Sequence, residues 1–266
     1  MEGIAWRTIG SVKSRQRIAL AALLLLGVLP GCASESDLLR LDPGLTETDL
    51  RQGKLAVLGV VKFQEPDQVR PPLVAMLEKT LGEERVDVPL IRADSVRHAL
   101  GDERYRRILL GYEYHGTLDS AALREIADPL QGVARFVVLA RVEKDRTRNS
   151  ARSISDADGA GRTGYAMGIT GRDATVEIHL YDVARRALVM KGKYDGSSEN
   201  SKPIVSSVPP GGGPAVTVEV GEAVPPEAQG YPGVPELAQA LEEPFRAFAR
   251  ALPGAPRPAP RPPGPR

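Results

Sequence analysis

Leu55-Ala56-Val57-Leu58-Gly59-Val60-Val61 is the stretch that decides the fold, because every residue in it is apolar or glycine. A continuous apolar run of this length predicts a strand buried on both faces, as in a sheet with helices above and below it. Downstream, Leu73, Leu77 and Leu81 recur at i, i+4 and i+8, which is one face of an amphipathic helix. The two patterns together predict a strand followed by a helix, the opening unit of an α/β domain.

The next residues continue this pattern with a short strand and three helices. Residues 86–91 read as an edge strand, because Pro89 has no N–H to donate to a second neighbour. Asp119 is a residue type that caps helix N-termini well. Helices are predicted over 94–100, 105–112 and 119–130.

The periodicity then changes from 3.6 to 2 over residues 135–143, 174–183 and 187–196. The last two segments are joined by a tight turn, so we expect an antiparallel hairpin. Its alternate positions Glu177, His179 and Tyr181 predict a polar face open to water or to a partner protein. The order β-α-β-α-α-α-β-β-β-α predicts a single α/β sandwich domain with a mixed sheet flanked by helices.

The N-terminal segment has the features of a secretory signal. A cationic stretch precedes the uncharged residues 18–29, which are too few for a bilayer span of about 20 residues. The tetrapeptide Leu29-Pro30-Gly31-Cys32 then resembles the lipobox of bacterial lipoproteins. This resemblance implies cleavage between Gly31 and Cys32, a diacylglycerol on the Cys32 thiol, and a periplasmic protein. Ala33, where an aspartate resembles an inner-membrane retention signal, favours the outer membrane.

Composition excludes some classes of function. Cys32 is the one cysteine of the chain, so a mature protein that begins there contains no intramolecular disulfide. The formal net charge of the whole chain is +1. A nearly neutral protein lacks the concentrated positive charge that nucleic-acid binding requires. We therefore expect no nucleic-acid partner.

The remaining composition divides the chain into segments. Residues 144–172 form a glycine-rich, polar insertion in the domain and are expected to be a loop. The segments predicted are a signal peptide (1–31), a tether (32–53), the α/β domain (54–198), a Pro/Gly/Ser-rich loop (199–233), a C-terminal helix (234–252) and a disordered Pro/Arg tail (253–266).

Three stretches of the domain resemble the periplasmic domain shared by CsgG, LpoB and the amino-terminal domain of TolB. They are residues 54–60 (KLAVLGV), residues 116–142 with the helix GTLDSAALREIADPL and the strand ARFVVLARV, and residues 176–183 (VEIHLYDV). The resemblance covers about 54–196 and implies an α/β envelope domain. Two features differ from that group: no long amphipathic hairpins of the CsgG kind and no long stalk of the LpoB kind are predicted.

Motifs for cofactors or metals are weak in this sequence. Residues 159–164 spell GxGxxG, but in a polar loop and without the strand and helix that a dinucleotide site needs. Asp156 and Asp158 would begin a calcium loop whose twelfth position is Met167, where a closing glutamate is required. The three histidines lack metal-ligand spacing. No cofactor and no metal are therefore expected.

No catalytic residue is predicted either, because Glu103, Glu113 and Glu125 are most simply solvated helix faces. We therefore expect a lipid-anchored, non-catalytic module that binds another envelope protein. One alternative is a subunit of a CsgG-like oligomeric secretion assembly, which would form a stable homo-oligomeric ring. The other is an envelope hydrolase with an unrecognised carboxylate site, for which these glutamates are the best candidates to test.

Overall fold

A computed structural model describes residues 36–64, 70–154, 165–204 and 230–255 of the 266-residue chain. Cys32, Gly31 and the GxGxxG segment lie outside these ranges. Within them, no helix combines the length and hydrophobicity needed to cross a membrane.

The described residues confirm the α/β class, with helices on both faces of one mixed sheet. In chain order the elements are β1 (Ser36–Leu41), α1 (Glu47–Gly53), β2 (Leu55–Lys62), α2 (Arg70–Glu84), β3 (Leu90–Ile91), α3 (Ala93–Leu100), α4 (Asp102–His115), α5 (Ser120–Leu130), β4 (Phe136–Ile154), β5 (Tyr165–Asp182), β6 (Ala187–Ile204) and α6 (Leu237–Ala251).

The six strands lie in the order β1-β6-β5-β4-β2-β3. β2 runs parallel to both of its neighbours, and the other pairs are antiparallel. The predicted edge position of β3 is confirmed, but the strand is Leu90–Ile91 and not the whole of 86–91, and it pairs with Leu55 and Ala56. The apolar run of β2 is fully buried, as its composition requires.

Two layers of helices cover the sheet, and each contributes its own part of the core. On one face the leucines of α2 and the phenylalanines of α6 pack against Val57, Val138 and Ile178. On the other face α3, α4 and α5 pack against Leu58 and Leu139. The predicted helix stripes are the buried faces.

Residues 36–53 are not the tether that their composition predicted. Ser36–Leu41 forms β1 and pairs antiparallel with β6. Glu47–Gly53 forms α1, whose N-terminus is closed by a capping box between Thr46 and Asp49. A six-residue strand with two adjacent leucines has no clear period of 2, so its pairing with β6 could not be recognised locally.

The expected loop over 144–172 is also wrong for the described residues 144–154 and 165–172, because β4 and β5 pair antiparallel over these ranges, with β6 alongside. Residues 144–153 in the β4 part of this extension are polar on both faces, which removes from β4 the alternation that marks a strand. Cross-strand ion pairs hold it: Arg148 contacts Glu199, and Arg172 contacts Asp145 at 2.6 Å. Arg172 also donates to the Pro235 carbonyl, which ties the hairpin to the segment before α6.

Candidate functional site

The predicted partner surface on β5 is buried. Glu177, His179 and Tyr181 are 7%, 0% and 1% exposed. The polar alternation of β5 was correct, but α4 packs over this face and places Tyr112 against His179. The expectation of an open face is therefore wrong, because polar side chains can be buried when they find partners.

These side chains form a hydrogen-bonded cluster between the sheet and the helical layer. The Tyr181 hydroxyl accepts the Leu118 N–H at 3.0 Å and lies 3.1 Å from His179 Nδ1. The Tyr112 hydroxyl lies 3.2 Å from the same nitrogen and donates to the Leu139 carbonyl. Both hydroxyls therefore lie within hydrogen-bond distance of the same ring nitrogen of His179.

Burial, more than the neighbouring charges, shifts the pKa values of this cluster. His179 Nε2 lies 3.0 Å from one Glu177 oxygen, and Lys191 Nζ lies 2.7 Å from the other. Burial lowers the pKa of His179 to about 4, although Glu177 opposes the change. Burial raises the pKa of Tyr181 to about 12. This buried cluster joins β5 to α4, and its burial leaves no access for a substrate.

A groove at the edge of β2 is a better candidate for a binding site. It encloses about 410 Å³ between β2 and the N-terminal parts of α2, α3 and α4. Its apolar lining includes Val60, Val74 and Leu109. Gly59 forms part of the wall, where an added Cβ would lie 3.1 Å from a Leu109 methyl group. This volume falls within the usual range of ligand pockets.

The groove exists because β2 loses its outer neighbour after two residues. β3 ends at Ile91, and the pairing of β2 with β4 shifts register between Val57 and Gly59, which marks a bulge at Leu58. The Tyr105 hydroxyl donates to the Leu58 carbonyl at 2.8 Å. Burial raises the pKa of Tyr105 to about 12, so the hydroxyl keeps the proton that it donates.

Charged side chains of both signs line the groove. Arg70 pairs with Glu113 at 2.5 Å, and the other Glu113 oxygen accepts the Gln64 N–H. At the outer rim, Arg97 pairs with Asp102 and holds the pKa of that carboxyl below its usual value. The groove therefore combines an apolar lining with a mixed-charge rim.

The prediction that Glu113 lies on a solvated helix face is also wrong, because its side chain is only 6% exposed. Glu103 is exposed, as predicted, and Glu125 is half-buried and pairs with Arg107 at 2.7 Å. The three glutamates therefore have different environments. The one local signal for the groove was Gly59, since a glycine inside a strand often marks a close approach.

The other predicted positions are not brought together. His98 on α3 and His115 on α4 are exposed, whereas His179 is buried. Among the residues that the structure describes, no group of three His, Cys, Asp or Glu side chains could hold a metal ion. Asp156 and Asp158 lie outside the described residues.

No protein-family model and no curated protein matches the chain. Solved structures similar to parts of it include the PelC dodecamer from Paraburkholderia phytofirmans, with 16% identity, 61% of this chain and 82% of that chain covered, and a TM-score of 0.30. The hypothetical protein CT253 from Chlamydia trachomatis has 18% identity, coverage of 55% and 72%, and a TM-score of 0.30. The lipoprotein GNA1162 from Neisseria meningitidis has 10% identity, coverage of 59% and 88%, and a TM-score of 0.27. Similarity at this level assigns neither a family nor a function.

Proposed function

We propose that this chain is a lipid-anchored protein of the bacterial cell envelope that binds a partner protein and performs no chemistry of its own. The observation that carries the proposal is Leu29-Pro30-Gly31-Cys32 at the end of a short apolar segment with a cationic leader. In bacterial lipoproteins this arrangement directs lipid to the cysteine. The outer membrane is the proposed location, because Ala33 follows Cys32.

The groove supports the partner-binding half of the proposal. Its apolar lining can accept a side chain of an envelope protein, and its rim offers charges of both signs to the flanking residues. Glu113, a candidate for the alternative hydrolase, already holds Arg70 and the Gln64 N–H with its two oxygens. An anchor confines the groove near the membrane, which raises its effective concentration for a membrane-associated partner.

The anchor is tested by replacing Cys32 with serine in cells fed labelled fatty acid. We expect the wild-type chain to be labelled and membrane-bound, and the Cys32→Ser variant to be neither, because the thiol is the acceptor. Undiminished labelling of Cys32→Ser would show that the lipid is attached elsewhere or that the proposal is wrong.

The groove is tested in the same cells with a photo-reactive amino acid at Arg106, which lines it. Arg104 is the matched control, since it is exposed two residues away on the same helix and lies outside the groove. We expect a crosslinked partner from position 106, a weaker product from 104, and less product from 106 in the Cys32→Ser background. Equal products from both positions would place the partner elsewhere.

A further inference from the structure

Three leucines are exposed on β1, at one edge of the sheet. Leu38, Leu39 and Leu41 are 46%, 52% and 42% exposed. Within the described ranges, β6 is the one strand that pairs with β1, so the outer backbone edge of β1 is open. Side chains on both sides of such an edge can reach the same external surface.

The register shows how these side chains are distributed. Leu38 lies opposite Gly192 and Leu41 opposite Met190, which faces the α6 side of the core. Arg40 lies opposite Lys191, on the other face of the sheet. The pairing shifts between Leu38 and Arg40, so Leu39 occupies a bulge and interrupts the regular edge.

The distance along the chain connects this edge to the anchor. Ser36 follows Cys32 by four residues, which span at most about 14 Å when fully extended. Lipid on Cys32 would hold that residue at the membrane surface. Apolar side chains of peripheral proteins enter the boundary between headgroups and acyl chains to a depth of about 5–10 Å. The start of β1 is therefore kept within reach of this boundary.

We infer that β1 is the membrane-contacting edge of the domain, with Leu38, Leu39 and Leu41 in the lipid interface. This inference rests on the proposed lipidation of Cys32. The sheet stands with its β1 edge toward the bilayer, and Arg40 extends its guanidinium to the phosphate headgroups. Four strand spacings of about 4.8 Å separate β1 from β2, so the groove lies about 19 Å farther from the membrane and faces the envelope.

The structure gives less support for a second copy of this chain bound at the same edge. Pairing of two β1 strands would require a regular ladder of backbone hydrogen bonds. The bulge at Leu39 and the charges of Asp37 and Arg40 are devices that prevent such pairing. Lipid headgroups and water can satisfy an irregular edge, whereas a second strand cannot.

The test is tryptophan fluorescence. Trp6, the one tryptophan of the sequence, lies in the proposed signal segment, so a processed protein has no tryptophan of its own. Leu39→Trp supplies a single fluorophore on β1. Val86→Trp is the control, because Val86 is 86% exposed and precedes β3 at the opposite edge of the sheet. Each processed protein is purified from membranes and reconstituted in phosphatidylethanolamine–phosphatidylglycerol vesicles, with and without brominated phosphatidylcholine. Mass spectrometry of the N-terminal peptide records the lipid on Cys32.

We expect brominated lipid to remove most of the fluorescence of Leu39→Trp and to leave that of Val86→Trp unchanged. If Leu39→Trp does not fold, as judged by circular dichroism, Leu41→Trp takes its place. Lipidated protein with no quenching at β1, or with equal quenching at both positions, would overturn the inference and leave the anchor intact. An unmodified Cys32 would overturn both. Concentration-dependent spectral change of Leu39→Trp without lipid would favour a second copy instead.

Discussion

The free energy of unfolding should decrease between about pH 7 and about pH 5 because His179 is buried in its neutral form. Burial lowers the pKa of His179 from 6.5 to about 4 in the folded protein, and the unfolded chain regains the ordinary value. The unfolded state therefore binds a proton at a higher pH than the folded state does. The contribution of the neutral His179 to stability is fully present above the unfolded pKa of 6.5. This contribution is lost as the pH falls from 6.5 toward about 4.

These two pKa values determine the size of the effect. Linkage gives a loss of about 2 kcal/mol between about pH 7 and about pH 5, with a limit of about 3 kcal/mol at lower pH. Glu177 raises the pKa of His179, whereas Lys191 and Arg141 lower it together with burial. Replacing histidine with glutamine removes the titration and retains a polar side chain.

The measurement is urea unfolding, followed by far-UV circular dichroism, at both pH values. We expect the unfolding free energy of the wild type to fall by about 2 kcal/mol more than that of His179→Gln. His98→Gln, an exposed position on α3, should follow the wild type. Parallel losses in wild type and His179→Gln would refute the assignment of a buried neutral histidine, whatever the stability of the variant at neutral pH.

Two further pairs of substitutions test the packing. Glu113→Gln should destabilise the fold by about 3 kcal/mol, because it removes a charged partner of the mostly buried Arg70, whereas Glu125→Gln in a surface pair should cost less than about 1 kcal/mol. Equal effects in thermal melts would contradict the burial of the first pair. Gly82→Ala in α2 has open space and should stabilise the helix by about 0.5–1 kcal/mol. Gly196→Ala would overlap the α6 backbone and should destabilise by about 3 kcal/mol; similar melting temperatures for the two alanine variants would refute this packing.

The fold was predictable where the pattern was local and apolar. The β2 run, the leucine stripe of α2 and the Asp119 cap, which accepts the Ala122 N–H at 2.7 Å, all lie where the sequence indicated. Such signals depend on residues within one or two turns of each other. The hairpin extension was missed because its β4 residues are polar and its strands are held by contacts between distant residues.

The candidate site was much less predictable. From their neighbours in sequence, both His179 and Glu113 are expected to be exposed. The helix that covers His179 and the arginine that pairs with Glu113 come from distant parts of the chain. The groove likewise depends on where β3 ends beside β2 and on how three helices begin around it. No single segment contains that information.

By itself, then, the sequence determined the buried strand at residues 55–61 and the α/β order, and it carries the lipobox-like tetrapeptide that ends at Cys32, because each of these signals lies in contiguous residues. Only the tertiary structure decided that Ser36–Leu41 is an edge strand, that the polar face of β5 is sealed, and that the edge of β2 opens into a groove. The physical reason is that burial and strand pairing depend on neighbours brought together by folding.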